Sequence, residues 1–205
     1  KSPTPYELVA KKQVFETGIK VIDSLLTMAE GQRIGIFGTA GLGKSHLLGM
    51  FARNSKADVN IICLIGERGR EVGDFVNDIL GKDGLEKSVI VVSTSDEPAV
   101  RRISAAHSAI SIAEYFRDKG LKVCLLMDSL TKYARAQREI ALSVGEPPAR
   151  QGYPASVFAA LPELLERAGC TNKGSITGVY TVLQTSENME DALAEEVRAL
   201  LDGHF

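Results

Sequence analysis

The sequence lacks tryptophan and is poor in cysteine, with 3 cysteines among 205 residues. Cys63, Cys124 and Cys170 are odd in number and widely spaced, and no C-x-x-C pair occurs. This pattern argues against a disulfide framework or a structural zinc site and is typical of reduced, apolar cysteines in a cytosolic protein. No apolar run approaches about 18 residues, so we predict no membrane-spanning helix and expect a soluble protein.

Composition and length set further bounds. The 24 Lys and Arg residues nearly balance the 26 Asp and Glu residues, for a net charge of −2. Nonspecific nucleic-acid binding is not predicted, because it depends on a large excess of basic residues. The chain begins with Lys1 instead of methionine and stops at Phe205, just after a helix–turn boundary, so we expect a piece of a longer protein. Residues 1–205 suffice for one α/β domain with its own core.

Apolar runs alternate with helical patterns along the chain, as in α/β proteins. Strands are predicted at residues 33–38, 59–65, 89–92, 123–127 and 175–183. Helices are predicted near residues 44–54, 71–80, 98–119, 130–144, 156–167 and 189–201. The strand segments are rich in Ile, Val and Leu without polar alternation, which indicates a mostly parallel sheet covered on both faces. The longest irregular segment, 145–154, is rich in Pro and Gly, and loops of that length are usually functional.

One segment matches the phosphate-binding loop pattern G-x-x-x-x-G-K-[S/T] in full. Its residues are Gly38, Thr39, Ala40, Gly41, Leu42, Gly43, Lys44 and Ser45. A predicted strand precedes the segment and a predicted helix follows it, which favours a phosphate loop over a glycine-rich turn with an exposed lysine. Backbone N–H groups would hold the phosphates, Lys44 would reach the β- and γ-phosphates, and Ser45 would bind Mg²⁺. The sequence therefore predicts binding of a nucleoside triphosphate.

A second anchor for the metal is predicted at Asp128, which follows the apolar strand 123–127. This is the Walker B pattern, and an acid at the carboxyl end of a parallel strand faces the same crevice as the phosphate loop. There it can hold the water shell of the metal. The alternative is that Asp128 caps the helix that begins after Ser129, and the two roles are compatible.

Glu67 is the candidate for orienting the attacking water, because it follows the predicted strand 59–65 and should emerge at the same edge of the sheet. A carboxylate about one water away from the γ-phosphate can accept a proton from that water or polarise it. Arg68 and Arg70 would then contact phosphate or a neighbouring subunit. The alternative is a surface cluster of acids and bases at a helix start, with Glu71 in the first turn.

The sequence resembles the catalytic β-type subunits of rotary ATPases at residues 66–71, at 113–118 and in the strand that ends in Asp128. Further segments make the sequence resemble more closely the ATPases of flagellar and virulence type III protein export, and this resemblance covers nearly the whole chain. These segments lie at residues 17–23, 31–37, 66–72, 128–131, 134–139, 152–158, 161–167, 174–177 and 201–204.

The resemblance implies a RecA-like P-loop NTPase core and an enzyme that hydrolyses ATP with Mg²⁺. It makes Glu67 the catalytic carboxylate, Arg68 a contact of the γ-phosphate and Asp128 the Walker B acid. It also implies that Lys44 contacts the phosphates and that Ser45 binds Mg²⁺, as the loop pattern predicts.

The resemblance also implies partners and a location. The export ATPases act as cytoplasmic homohexameric rings, peripheral to the inner membrane at the export gate. They work with a central coiled-coil stalk, a stator-like regulator and complexes of chaperones with export substrates. An N-terminal β-barrel and a C-terminal helical domain would lie outside residues 1–205. The arginine finger and the aromatic residue that packs on adenine would lie beyond Phe205, so weak hydrolysis is expected from this chain alone.

A few residues depart from the export ATPases. His46 stands where that family usually has Thr, and it is expected to point away from the phosphates. Lys132 replaces a usual Arg near the γ-phosphate, and Lys lacks the bidentate geometry of Arg. Residues 185–188 and 191–192 differ from the family's acidic run and the Asp-Pro that follows it.

Two other functions remain open. A non-catalytic, nucleotide-binding subunit of a rotary F- or V-type ATPase is disfavoured by Glu67 but favoured by Lys132. A hexameric RNA translocase shares this core, but it would need a basic loop facing the pore. Residues 145–154 contain one basic residue, Arg150.

Overall fold

Parallel strands form the centre of the molecule in a computed structural model, which describes residue 9 and residues 13–184 and 191–205. The strands are β1 (Arg33–Gly38), β2 (Val59–Glu67), β3 (Ser88–Thr94), β4 (Lys122–Asp128), β5 (Gly169–Cys170), β6 (Ser175–Leu183) and β7 (Gly203–His204). Their order across the sheet is β3-β2-β4-β6-β1-β7, with every neighbouring pair parallel, while β5 pairs antiparallel with β6.

Helices cover both faces of this sheet. They are α1 (Lys20–Leu25), α2 (Lys44–Asn54), α3 (Gly69–Asp74), α4 (Gly81–Glu86), α5 (Ala99–Asp118), α6 (Leu130–Ser143), α7 (Ala155–Leu165) and α8 (Ala192–Leu200), with a π-helical segment at Phe75–Leu80. On β2, Ile61, Cys63 and Ile65 belong to the core cluster that includes residues of α5 to α8, whereas Ile62 and Leu64 belong to the cluster that includes residues of α1, α2 and the π-helical segment. Burial of both faces explains the absence of polar alternation. None of the described helices is both long and apolar enough to cross a membrane.

The chain departs from the predicted elements mainly after β2. One helix is predicted at 71–80, but the chain forms α3, the π-helical segment and α4 instead. Gly81, where α4 begins, has a positive φ of 63°, which interrupts a regular α-helix. The short α1, β5 and β7 have no sequence signal, because two to six residues cannot carry a periodic pattern. The last predicted helix corresponds to α8; residues 185–190 lie outside the described part of the chain.

The carboxyl ends of β1, β2, β4 and β6 meet at one edge of the sheet. β1 leads into the phosphate loop, β2 ends at Glu67 and β4 ends at Asp128. Leu64 of β2 pairs with Asp128, so β2 continues further in the strand direction before it reaches Glu67. Ligands of open α/β sheets bind in the crevice at this edge, and the sheet therefore brings the three predicted segments together.

Candidate nucleotide-binding site

The phosphate loop connects β1 to α2. Gly41 and Gly43 have positive φ values of 86° and 80°, which residues with a Cβ adopt at a cost. A Cβ at either position would meet nothing within 4 Å, so backbone conformation alone requires glycine. Helix α2 begins at Lys44, and no side chain in the described ranges caps its N-terminus. Its first N–H groups are oriented to bind an anion.

Lys44 extends back across the loop that precedes it. Its Nζ donates to the carbonyl oxygen of Gly38 at 2.8 Å and to that of Thr39. Burial lowers the pKa of Lys44, and the nearby Asp128 carboxylate opposes that shift. The ammonium group lies inside the loop, where the sequence pattern predicts a phosphate contact.

The two carboxylate oxygens of Asp128 have different partners. Oδ1 accepts a hydrogen bond from Thr181 Oγ1 at 2.6 Å, and Oδ2 accepts one from Ser45 Oγ at 3.3 Å. The N-cap of α6 is Ser129, whose side chain accepts from the backbone N–H of Lys132. Asp128 is therefore not the cap of that helix, and its carboxylate remains directed at the start of α2.

Ser45 and Asp128 fit a magnesium ion by their chemistry. Both present oxygen atoms, which Mg²⁺ prefers as ligands, and Mg²⁺ at nucleotide sites is commonly bound through one or two carboxylates together with phosphate oxygens. Ser45 is the second residue of α2, directly after Lys44. The two groups thus stand where the phosphate loop would present the nucleotide.

Glu67 reaches the same cleft through an irregularity in β2. The pairing of β2 with β3 shifts between Ile65 and Glu67, and the intervening Gly66 has a positive φ of 65°. Such a bulge changes the direction of the side chain that follows it. Only 15% of the Glu67 side chain is exposed, and its carboxylate forms an ion pair with Lys132 Nζ.

Glu67 is close to its titration midpoint at neutral pH. Burial, together with the charge of Asp128, raises the pKa of Glu67 to about 7, although Lys132 opposes the shift. A hydrogen bond with Glu71 contributes to this rise in the pKa of Glu67 and lowers the pKa of Glu71. A carboxylate whose pKa is near the ambient pH is suited to accept a proton during a reaction.

Arg68 lies at the mouth of the cleft, with 82% of its side chain exposed. It pairs with Glu71 at 3.9 Å, and Arg70 pairs with Asp74 at 3.9 Å. These pairs form the surface cluster that was the alternative to a catalytic role for Glu67. The two interpretations apply to different residues, because Glu67 is buried in the cleft whereas the arginines are at the surface.

Most of the predicted residues line one cleft of about 720 Å³. Those that line it are Ala40, Gly41, Gly43, Lys44, Ser45, Glu67, Arg68 and Asp128. Gly38, Thr39 and Leu42 belong to the loop but do not line the cleft. His46 also lines it and is exposed, and its expected orientation away from the phosphates stays a prediction.

Sequence reasoning missed the contribution of β6. Thr181 bonds to Asp128, and Thr131 Oγ1 accepts a hydrogen bond from the N–H of Leu183 at 2.8 Å, which ties the end of β6 to α6. Leu183 also lines the cleft. The only signal in the sequence is a threonine shortly before the end of an apolar strand, which by itself indicates nothing about Asp128.

Comparison with known proteins places the chain in a family. The model of the ATP synthase alpha/beta family, nucleotide-binding domain, matches residues 18–205. The chain belongs to this family. The chain is 56% identical to the type 3 secretion system ATPase of Xanthomonas euvesicatoria over 204 residues, an alignment that covers 100% of this chain and 46% of that protein. The flagellum-specific ATP synthase of Bacillus subtilis is 53% identical over 203 residues, 99% of this chain and 46% of that protein.

Solved structures of a type III secretion ATPase superpose closely on this chain. The assembled ATPase EscN from the type III secretion system of enteropathogenic E. coli gives a TM-score of 0.94 at 53% identity, over 100% of this chain and 49% of that chain. EscN in complex with its central stalk EscO gives a TM-score of 0.91 at 51% identity, over 100% of this chain and 48% of that chain. The predicted α/β fold and the resemblance to export ATPases are confirmed. The chain spans about half the length of the curated relatives it matches.

Proposed function

We propose that this chain is the catalytic core of a type III protein-export ATPase, which hydrolyses ATP with Mg²⁺ to energise flagellar or virulence export. The observation that carries the proposal is a single cleft that combines a phosphate loop with Lys44 and two carboxylates in different environments, Glu67 and Asp128. The names of the relatives from Xanthomonas and Bacillus support the same function.

In this proposal the loop and Lys44 bind the β- and γ-phosphates of ATP. The left-handed conformation of Gly41 and Gly43 lets the backbone curve closely around a phosphate group. The N-terminus of α2 contributes positive potential at the same place. Because Lys44 is partly removed from water, its attraction for phosphate is stronger than that of a surface lysine.

Ser45 and Asp128 would hold the metal. Mg²⁺, when bound, neutralises negative charge on the phosphates as the terminal group is transferred. Ser45 Oγ and Asp128 Oδ2 are 3.3 Å apart, so the chain itself brings its two proposed ligands together.

Glu67 would accept the proton of the attacking water. Its pKa of about 7 leaves a large fraction ionised at neutral pH while keeping it basic enough to take a proton. Lys132 holds the carboxylate through the ion pair, and Arg68 at the mouth of the cleft would contact the γ-phosphate. Hydrolysis by this chain alone would be weak, since an arginine from a neighbouring subunit is worth about 10³–10⁵-fold in related NTPases.

The features of the whole protein are proposed from its relatives. EscN is described as assembled and in complex with a central stalk, and we extend this to a homohexamer with a stalk, a stator-like regulator and chaperone–substrate complexes. Residues 1–205 would form one RecA-like domain between an N-terminal β-barrel and a C-terminal helical domain. The ring would act in the cytoplasm, peripheral to the inner membrane at the export gate.

Phosphate release from Mg-ATP by the full-length protein tests the proposal, with Lys44→Ala as the diagnostic variant. The variant loses a charge-assisted contact with phosphate, so it should lose both turnover and binding of a fluorescent ATP analogue. Lys20→Ala, on the exposed surface of α1, is the control and should keep both. Unchanged affinity of Lys44→Ala would overturn the loop assignment, and wild-type ATP binding without turnover would indicate a non-catalytic rotary subunit.

A further inference from the structure

Thr181 holds one oxygen of the Asp128 carboxylate. Thr181 is fully buried on β6, and its Oγ1 donates to Asp128 Oδ1 at 2.6 Å. A hydroxyl–carboxylate bond of this length is charge-assisted and stronger than one between neutral groups. The carbonyl oxygen of Met127 is 3.4 Å from the same hydroxyl. The single hydroxyl proton therefore goes to the carboxylate.

The sheet register makes this contact specific. β4 and β6 are parallel neighbours, and their pairing ends one residue before Asp128 and Thr181, which follow side by side. Side chains alternate along a strand, and Leu126 and Val179 both pack in the core that includes α2. Asp128 and Thr181 are therefore on the same face of the sheet, the one that the phosphate loop and Ser45 adjoin.

We propose that Thr181 is a positioning residue for the magnesium–nucleotide site: it holds Asp128 Oδ1 so that Oδ2 faces Ser45. This inference rests on the proposed function, since it assigns the bond a role in binding Mg²⁺ together with nucleotide. The last torsion of an Asp side chain has broad minima, so the carboxylate can turn when nothing holds it. Without the hydroxyl, Oδ1 would be buried with no donor, and the carboxylate would turn toward the donors at the start of α2.

Two substitutions separate the hydroxyl from the size of the side chain. Thr181→Val is nearly isosteric and removes the donor, whereas Thr181→Ser keeps the donor and removes a methyl group. In the full-length protein, binding of fluorescent ADP is measured across a series of Mg²⁺ concentrations and in EDTA. In EDTA all forms should bind alike. The Mg²⁺ concentration that gives half of the maximal increase in ADP binding should be about 10- to 100-fold higher in Thr181→Val than in the wild type. In Thr181→Ser it should equal the wild-type value.

Thr177→Val is the matched control. Thr177 is also fully buried on β6 and on the same face, but its Oγ1 accepts a hydrogen bond from the N–H of Gly31 at 2.9 Å, away from Asp128. The same change of side chain there should lower the unfolding midpoint without altering the Mg²⁺ dependence of ADP binding. The Mg²⁺ dependence of turnover provides a second readout for all variants.

A wild-type Mg²⁺ dependence in Thr181→Val would overturn the proposal, as would an equal shift in Thr177→Val, which would indicate a purely structural role. If Thr181→Val does not fold, Thr181→Ala is compared with Thr181→Ser by the same criterion. Failure of the proposed function has a different signature, because the wild-type protein would then show no Mg²⁺-dependent nucleotide binding or no turnover. The proposal on Thr181 is supported only when the Mg²⁺ dependence of ADP binding shifts in the Thr181 variant that lacks the hydroxyl and in no other variant.

Discussion

Lys132 forms an ion pair with Glu67 inside the cleft, although Lys132 belongs to the first turn of α6 and Glu67 to the end of β2. Gly66 directly precedes Glu67, and a Cβ on it would be 3.3 Å from Lys132 Cδ. The ion pair thus depends on a glycine bulge that directs the carboxylate inward and leaves room for the lysine. We expect both the charge of Lys132 and the shape of the bulge to affect catalysis.

Removing the charge of Lys132 should shift the pH dependence of turnover. Lys132 opposes the upward shift in the pKa of Glu67, so Lys132→Ala should raise that pKa above about 7. A base acts in its deprotonated form, so the rising limb of kcat against pH should move to higher pH. Lys132→Arg keeps the charge and should leave the limb in place. An unchanged midpoint in Lys132→Ala would contradict the proposed role of Glu67 as the base.

Changing the bulge should impair turnover more than nucleotide binding. In Gly66→Ala, a residue with a Cβ would occupy φ 65°, which costs about 1–2 kcal/mol, and the methyl group would press on Lys132. We expect a lower kcat with nearly unchanged affinity for a fluorescent ATP analogue. Gly69→Ala is the control, because a Cβ there meets nothing within 4 Å. Wild-type kcat in Gly66→Ala would show that the bulge does not set the position of Glu67.

Local patterns in the sequence predicted much of the site. The phosphate loop is one contiguous motif between a strand and a helix, and Glu67 and Asp128 each follow an apolar strand. Parallel strands bring their carboxyl ends to one edge, so the meeting of these segments follows from the strand assignment alone.

The parts that were not predicted depend on contacts between distant segments. The bond from Thr181 to Asp128 requires the order of β4 and β6 in the sheet, which the sequence does not state. The ion pair of Lys132 with Glu67 requires the bulge at Gly66, and one glycine at a strand end has many other uses. The π-helical segment after α3 likewise has no periodic signature.

The loop at residues 145–154 contacts α8. Arg150 Nη1 lies 3.1 Å from Glu196 Oε2, and Gln151 Oε1 accepts a hydrogen bond from the N–H of Ala192 at 3.0 Å. We predict that in the proposed ring this loop lines the central opening and contacts the proposed stalk. The chain's 3 cysteines are all buried, so a new surface cysteine can be crosslinked selectively.

Crosslinking from Pro148→Cys in the full-length ring with its stalk protein checks this prediction. Pro148 is exposed in the loop, and a short crosslinker should join it to the stalk. Leu25→Cys is the control, because Leu25 is 76% exposed on α1, which packs on the opposite face of the sheet, and it should give no stalk adduct. Stalk adducts from Leu25→Cys alone would place the opening on the other face.

ATP binding and phosphate release by Glu67→Gln, measured in the same sample of full-length protein, test the central claim most directly. The amide occupies the space of the carboxylate but cannot take a proton, a role worth about 10²–10⁴-fold in rate. Glu86→Gln, exposed on α4, is the control and should behave as wild type. The account predicts wild-type affinity for ATP in Glu67→Gln with turnover reduced by that factor. Full turnover in Glu67→Gln would contradict it and would make another acid the base, with Asp128 the next candidate.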